Sequence, residues 1–126
     1  MRVNVKEVLN DYTGNPILNP RLEKDGKTVT HIPLTVLDAL VTAINNPAQL
    51  RDEQGHPRFD AMGQPISEFF TAEQKGRSYQ LSTKLYSSDD VDFTESEVEY
   101  IKERIDKIWN TPAVSGRLLE LLTSKN

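Results

Sequence analysis

The clearest pattern in the chain is a helical stripe in its last third. Apolar residues recur there at intervals of three and four, with charged residues between them; they are Val98, Ile101, Ile105 and Ile108. Just before the stripe, Thr94 and Glu97 have the spacing of a capping box, in which two side chains satisfy free amides at a helix start. After the stripe, Pro112 follows Thr111 and suits the first position of another helix. We therefore predict two consecutive helices within residues 94–122.

Two further helices are predicted from the same kind of signal. Thr35 precedes Asp38 by three residues and opens a stripe that stops before Pro47; its members are Leu37, Leu40, Val41 and Ile44. Thr71 precedes Gln74 in the same way and opens a weaker stripe that runs to about residue 86; its members are Tyr79, Leu81, Leu85 and Tyr86. Gly76 lies inside this third stripe and costs the helix about 1 kcal/mol relative to alanine.

Before Pro33 the sequence indicates two to four short antiparallel strands that form a small sheet. Val3 and Val5 alternate with polar residues, and the Asp25-Gly26 pair suits a tight hairpin turn with arms at residues 21–24 and 27–32. Strands followed by helices indicate an α+β fold. We predict a single domain over residues 1–126, with a small N-terminal antiparallel sheet of hairpins packed against about four short helices.

Residues 48–67 form a polar insertion between the predicted helices. The segment is rich in Gln, Arg, Asp, Gly, His and Pro, and a loop of this length without structure is uncommon in a compact domain. Two interpretations stay open. The segment is either a mobile insertion or a second hairpin, with turns at residues 54–57 and 62–65.

Composition narrows the classes of function. The chain has 15 basic and 19 acidic residues, a net charge of −4, which repels phosphate backbones and makes non-specific nucleic-acid binding unfavourable. It contains no cysteine, so disulfides and thiolate chemistry are excluded. No segment has the length of apolar sequence that a signal peptide or a membrane span needs. We expect a soluble, cytoplasmic protein without a membrane partner.

Few residues suggest catalysis or metal binding. His31 and His56 are the only histidines, and their spacing matches no usual ligand pattern. The acidic run at residues 89–97 resembles half of a calcium loop but lacks its glycine and terminal glutamate, so we interpret it as acids that favour a helix N-terminus. No phosphate-binding glycine loop or nucleophile elbow is present. We expect no catalytic activity, no metal and no cofactor.

The insertion carries the best candidates for binding a partner. Aromatic and arginine side chains in or beside a polar segment are typical of interface hot spots; here they are Arg51, Arg58, Phe59, Phe69 and Phe70. The alternative is that Phe69 and Phe70 anchor the insertion onto the domain. We predict a partner-binding surface at these five residues and keep the anchor interpretation open.

Several segments together resemble a group of small proteins of unassigned function that tailed bacteriophages and prophages encode. They are Asp11-Tyr12-Thr13-Gly14-Asn15-Pro16-Ile17, residues 34–40, residues 75–86, Val91-Asp92-Phe93-Thr94 and the two C-terminal helices. The resemblance covers most of the chain apart from the insertion. It implies a phage protein acting inside a bacterium, and it brings no catalytic residues with it.

Three functions are consistent with these observations. The first is a phage accessory protein that binds or inhibits a host protein or another phage protein. The second is a virion assembly or structural factor, for which a homodimer through the leucine-rich last helix is expected. The third is nucleic-acid or nucleotide binding through a local basic strip formed by Arg51, Arg58, Lys75 and Arg77. We favour the first slightly over the second.

Overall fold

The computed structural model describes residues 2–123 and has four helices and four short strands. The helices are α1 (Val36–Asn45), α2 (Ala72–Ser87), α3 (Glu95–Ile108) and α4 (Pro112–Thr123). The strands are β1 (Arg2–Asn4), β2 (Leu18–Leu22), β3 (Val29–Pro33) and β4 (Asp90–Asp92). The predicted α+β class is confirmed.

The helix starts lie where the capping residues predict them. The Thr35 hydroxyl accepts a hydrogen bond from the amide of Asp38 at 3.2 Å and begins α1. Full capping boxes begin the two longer helices, pairing Thr71 with Gln74 at α2 and Thr94 with Glu97 at α3. Each box satisfies amides that have no partner within the helix, which explains why these boundaries could be predicted from sequence.

The strands form two separate two-stranded antiparallel sheets: β2 and β3 are the predicted N-terminal hairpin, whereas β1 does not join them. β1 pairs with β4, which lies between α2 and α3, so that Val3 is opposite Val91. Val3 and Val5 are buried, as their alternation predicts. The pairing partner of β1 is distant along the chain, and no local turn signal points to it.

β2 and β3 form the predicted hairpin, but the two strands lie farther from the turn than predicted. They cover residues 18–22 and 29–33, whereas the predicted arms were residues 21–24 and 27–32. The turn occupies residues 23–28: the Glu23 amide donates to the Thr28 carbonyl at 2.8 Å, and Gly26 has a φ of 73°. The Asp25 carboxylate accepts hydrogen bonds from the Thr28 hydroxyl and from nearby amides, which lower its pKa to about 2. The turn therefore uses residues that the sequence assigned to the arms.

All four helices contribute to one hydrophobic core, and α3 packs against both α1 and α4. We predict from the two C-terminal helices that Ile101, Ile105, Ile108 and Leu118 form the core; three of them are fully buried, and Ile108 is half-buried against the core. On α2 the prediction was partly wrong: Leu81 and Leu85 are buried, but both tyrosines of its stripe are exposed. Among residues 2–123, no helix is long and apolar enough to cross a membrane.

Candidate protein-interaction site

The insertion folds into two consecutive copies of the same six-residue turn, at residues 52–57 and 60–65. In each copy the aspartate carboxylate accepts two backbone amides, two and four residues later; for Asp52 both distances are 2.9 Å, and for Asp60 both are also 2.9 Å. The glycine at the fourth position has a positive φ, 83° at Gly55 and 78° at Gly63, which other residues rarely adopt. Of the two interpretations of this segment, the structure matches the hairpin with two turns.

A third copy of the turn occurs near the N-terminus, at residues 11–16. Asp11 accepts amide hydrogen bonds at 2.8 and 3.1 Å, and Gly14 has a φ of 86°. The hydrogen bond from the Thr13 hydroxyl to its carboxylate is the main cause that lowers the pKa of Asp11. The pattern Asp-x-x-Gly-x-Pro therefore occurs three times in the chain. The repeat was not predicted, although the three copies of the pattern can be seen in the sequence.

In the insertion, three backbone hydrogen bonds close a circuit at the base of the two turns. The Leu50 amide donates to the Ile66 carbonyl at 2.7 Å, Arg58 donates to Leu50 at 2.9 Å, and Ile66 donates to Arg58 at 3.0 Å. We call this circuit the second three-way junction, because an equivalent circuit occurs earlier in the chain. Two arms extend from it, residues 51–57 and 59–65.

An equivalent circuit, the first three-way junction, lies between β1 and α1. The Leu9 amide donates to the Leu34 carbonyl at 2.8 Å, Ile17 donates to Leu9 at 2.8 Å, and Leu34 donates to Ile17 at 2.7 Å. Its two arms are residues 10–16 and the hairpin of β2 and β3.

Both junctions are followed by the same additional backbone hydrogen bond, which joins the residues two positions before and two positions after the junction. Val36 donates to the carbonyl of Glu7 at 2.9 Å, and Glu68 donates to that of Ala48 at 2.8 Å. Residues 7–36 and 48–68 are therefore two copies of one backbone design, which we call the first and second modules.

The two modules differ in what their junctions contact. In the first module Leu9 and Leu34 are buried and belong to the hydrophobic core. In the second module Leu50 and Ile66 are only half-buried, and every residue from 51 to 65 is exposed. The second module therefore contributes little to the core and presents nearly all of its side chains to solvent.

A buried arginine holds the base of the second module. The Arg104 side chain on α3 is fully buried and pairs with the Glu68 carboxylate at 2.6 Å. It also donates to the carbonyl of Ala43 at 3.1 Å and to that of Asn46 at 2.6 Å, at the end of α1. Glu68 in turn accepts the Ala48 amide at 2.8 Å. One side chain thus connects α3, the end of α1 and both ends of the insertion.

Phe69 and Phe70 have different environments. The Phe70 ring is half-buried and lies 4.8 Å from the Arg104 guanidinium, in a cation–π contact. The Phe69 ring is 95% exposed. The anchor interpretation therefore fits Phe70, whereas Phe69 remains a candidate for partner contact.

The other three predicted residues lie together on the second module. Arg51 donates to the Gly55 carbonyl at 2.9 Å within the first arm, and Arg58 is exposed at the junction. Phe59 begins the second arm and is 57% exposed. Met62, which was not among the predicted residues, is 85% exposed near the tip of the same arm. Its position in the repeated turn could have identified it.

A depression of about 290 Å³ lies at the foot of the second module. Residues from the insertion, the end of α1 and the end of α3 line it, among them Gln49, Arg51, Lys107 and Asn110. Most of the lining residues are polar, and Pro47, Ala48 and Ile108 are the apolar ones.

Both histidines are exposed, and Glu97 of the acidic run is half-buried at the start of α3. His31 lies exposed on β3 and His56 lies exposed in a turn. Glu97 belongs to the capping box of α3 and pairs with Lys84 at 2.7 Å. Within residues 2–123, no group of three or more histidine or acidic side chains is arranged to hold a metal ion.

The ion pair at the base of the module predicts a pH dependence. Burial would raise the pKa of Glu68, but the Ala48 amide and the charges of Arg104 and Lys107 together outweigh it, so its pKa lies below the ordinary value of 4.5. A lowered carboxylate pKa adds stability above the ordinary value, and this stability is lost as pH falls through the lowered pKa.

We therefore expect wild-type protein and Glu68→Gln to differ in unfolding free energy near neutral pH, and the difference to shrink below pH 4.5. Urea melts of both proteins from near neutral pH to about pH 3 measure it. Glu53→Gln on the exposed first arm is the matched control. A difference that stays constant with pH would contradict the assignment.

Comparison with known proteins gives no relative: no family model, no curated protein and no solved structure matches this chain.

Proposed function

We propose that this chain is a small phage-type accessory protein that acts by binding another protein through its second module. The observation that carries this proposal is the exposure of the module. The same backbone design is used twice, and the arms of both copies lie largely in solvent, but the first junction is buried in the core whereas the second is only half-buried. The resemblance to phage proteins supports a site of action in the cytoplasm of a host bacterium.

The exposed side chains of the module suit a protein partner. Hot spots of protein interfaces are enriched in aromatic residues and arginine, and here Arg58 and Phe59 are adjacent at the junction, with Met62 further along the arm. The turns are fixed by hydrogen bonds to aspartate and by glycine geometry, so the arms lose little conformational freedom on binding.

Nucleic-acid binding is the weaker proposal. The net charge of −4 opposes it, and Arg77 of the predicted basic strip is engaged within the fold, 4.5 Å from the Tyr100 ring and hydrogen-bonded to Ser96. Virion assembly through α4 is also weaker, because Leu118 and Leu122 are used in the core.

Excision of the arms tests the proposal. Because Leu50 and Ile66 are joined by a backbone hydrogen bond, residues 51–65 can be replaced by a two-residue Asn-Gly turn. This variant keeps Glu68 and its pair with Arg104. We expect its unfolding free energy to stay within about 1 kcal/mol of wild type, since the removed residues are exposed. Urea melts measure this difference.

Partner capture is then compared by affinity purification of tagged proteins from phage-infected cells. We expect wild-type protein to retain a specific host or phage protein, and both the excised variant and Arg58→Ala/Phe59→Ala to lose it. Tyr12→Ala is the matched control, because Tyr12 is exposed on the corresponding turn of the first module. If the excised variant folds and still captures the same partner, the proposal is wrong. Nuclease-sensitive capture would instead favour nucleic-acid binding.

A further inference from the structure

The depression at the foot of the second module is lined by hydrogen-bond donors that the fold itself does not use. The side-chain amides of Gln49 and Asn110 and the hydroxyl of Thr42 lie in its lining, and none of the three has a hydrogen-bond partner within residues 2–123. Arg51 donates through Nη1 to the Gly55 carbonyl at 2.9 Å, and its other guanidinium nitrogens have no partner in the same part of the chain. Four side chains therefore have donors available to a ligand at one concave surface.

The charge at the depression is positive. Among the described residues that line it, two are basic, Arg51 and Lys107, and none is acidic. Lys107 Nζ lies 3.2 Å from the Glu103 carboxylate and 3.6 Å from that of Glu68, which also pairs with Arg104. Two carboxylates thus neutralise two of the three cations. The charge of Arg51 has no counterion within residues 2–123.

We propose that this depression binds a side-chain carboxylate, from glutamate or aspartate, on the surface of the protein partner. The inference rests on the proposed function and adds the chemistry of the partner that the second module binds. An ionised carboxylate only accepts hydrogen bonds and can accept several of them, so it complements a lining of arginine, lysine and amide N–H groups.

The size and place of the depression suit one side chain of a partner. Its volume of about 290 Å³ lies at the lower end of the range for small-molecule pockets, about 300–1,000 Å³. Gln49 and Arg51 belong to the second module, and both are exposed. The depression therefore borders the surface proposed to bind the partner, and it is open to a side chain that arrives from solvent.

A phosphodiester group accepts the same hydrogen bonds, but the surroundings disfavour a nucleic acid. Asp52 and Glu53 directly follow Arg51 on the exposed arm, and the chain has a net charge of −4. An extended polyanion laid across the depression would meet these two carboxylates, whereas a single side chain need not. Charge complementarity therefore favours an isolated acidic residue of a protein.

NMR titration of the full chain with a blocked amino acid tests the proposal. The probe is N-acetylglutamate amide at near neutral pH and constant ionic strength, and N-acetylglutamine amide is its uncharged control. We expect the side-chain amide signals of Gln49 and Asn110 to shift saturably with the charged probe only. The expected Kd is on the order of 10 mM, because one exposed carboxylate binds weakly. Equal shifts with both probes, or shifts that do not saturate, would overturn the proposal, as would tighter binding of dimethyl phosphate titrated in parallel.

Two variants locate the binding at the depression. Arg51→Gln should raise the Kd about fivefold or more, because it removes the charge without a counterion. The turn that follows keeps the two amides bound to Asp52. Asn110→Ala should also raise the Kd, although it removes no hydrogen bond of the fold between residues 2 and 123. Arg58→Gln, at an exposed arginine of the same module outside the lining, is the matched control and should leave the Kd unchanged. An unchanged Kd for both Arg51→Gln and Asn110→Ala would contradict the assignment.

Affinity purification separates failure of this inference from failure of the proposed function. If wild-type protein captures a partner, and Arg51→Gln and Asn110→Ala capture it equally well, the second module binds its partner without the depression and only this inference is wrong. If the blocked glutamate binds but wild-type protein captures nothing, the proposed function is wrong and the depression remains a carboxylate site. Loss of capture by both variants, with capture by wild type, would support both proposals.

Discussion

Replacing Arg104 with alanine will destabilise the protein by about 3–5 kcal/mol, the range in which removal of one partner of a buried ion pair falls. The side chain is fully buried and pairs with Glu68 at 2.6 Å. Its loss leaves the carbonyls of Ala43 and Asn46 without their donor and opens a cavity beneath Phe70. Urea melts of Arg104→Ala and of wild type measure the loss.

An exposed arginine serves as the control, and Arg104→Met with and without Glu68→Gln separates the loss of charge from the loss of volume. Arg21→Ala removes an exposed arginine on β2 and should change the unfolding free energy by less than about 0.5 kcal/mol. Arg104→Met fills much of the volume, and combining it with Glu68→Gln should cost less than the sum of the single changes. A loss below about 1 kcal/mol for Arg104→Ala would mean that the insertion is not held by this pair.

Truncating Ile105 to alanine will cost about 2–5 kcal/mol. Ile105 is fully buried on α3, in the core that α1 and α4 share. The loss combines the transfer free energy of the removed methyl and methylene groups with the cavity that they leave. Urea melts measure the difference, and m-values should stay unchanged if the native fold is kept.

Leu22→Ala is the matched control for Ile105→Ala. Leu22 is 62% exposed on β2, so truncation removes a side chain of the same size without opening a cavity. Its expected loss is below about 1 kcal/mol. A similar loss for the two variants would contradict the assignment of the core face.

Helix boundaries were predictable because their signals are local. The two residues of each capping pair are only three positions apart, and the stripe behind them repeats within one or two turns. The tyrosines of α2 were assigned to the core because apolar spacing alone does not say which of two faces is buried. Ser78 occupies the buried face instead, where it hydrogen-bonds to the Ile44 carbonyl and contacts the Tyr100 hydroxyl.

The anchor at Arg104 was missed because a charged residue within an amphipathic helix is usually exposed. Its position nevertheless carried a signal, since it lies three residues after Ile101 and directly before Ile105, on the buried stripe. The carbonyls that it binds belong to the last turn of α1 and to its C-cap residue, more than fifty residues earlier. Sequence spacing contains no information about such a contact.

Several residues of the candidate site were predicted from the sequence, but the backbone arrangement that holds them was not. Arg51, Arg58 and Phe59 do lie on one exposed module, while Phe70 turns inward to Arg104. Their roles as partner contacts stay predictions. The equivalence of the two modules was hidden because their second arms differ in length, residues 18–33 in one and 59–65 in the other.

The pairing of β1 with β4 has a consequence for the order of folding. Val3 meets Val91 across this ladder, so the first strand cannot form its hydrogen bonds until most of the chain has been made. Closing so long a loop is entropically unfavourable and must be compensated by contacts formed earlier. Helices α1 to α3 can assemble from more local contacts, and β1 then docks late. The N-terminal strand is therefore the part of the core expected to detach first under partial denaturation, ahead of the helices.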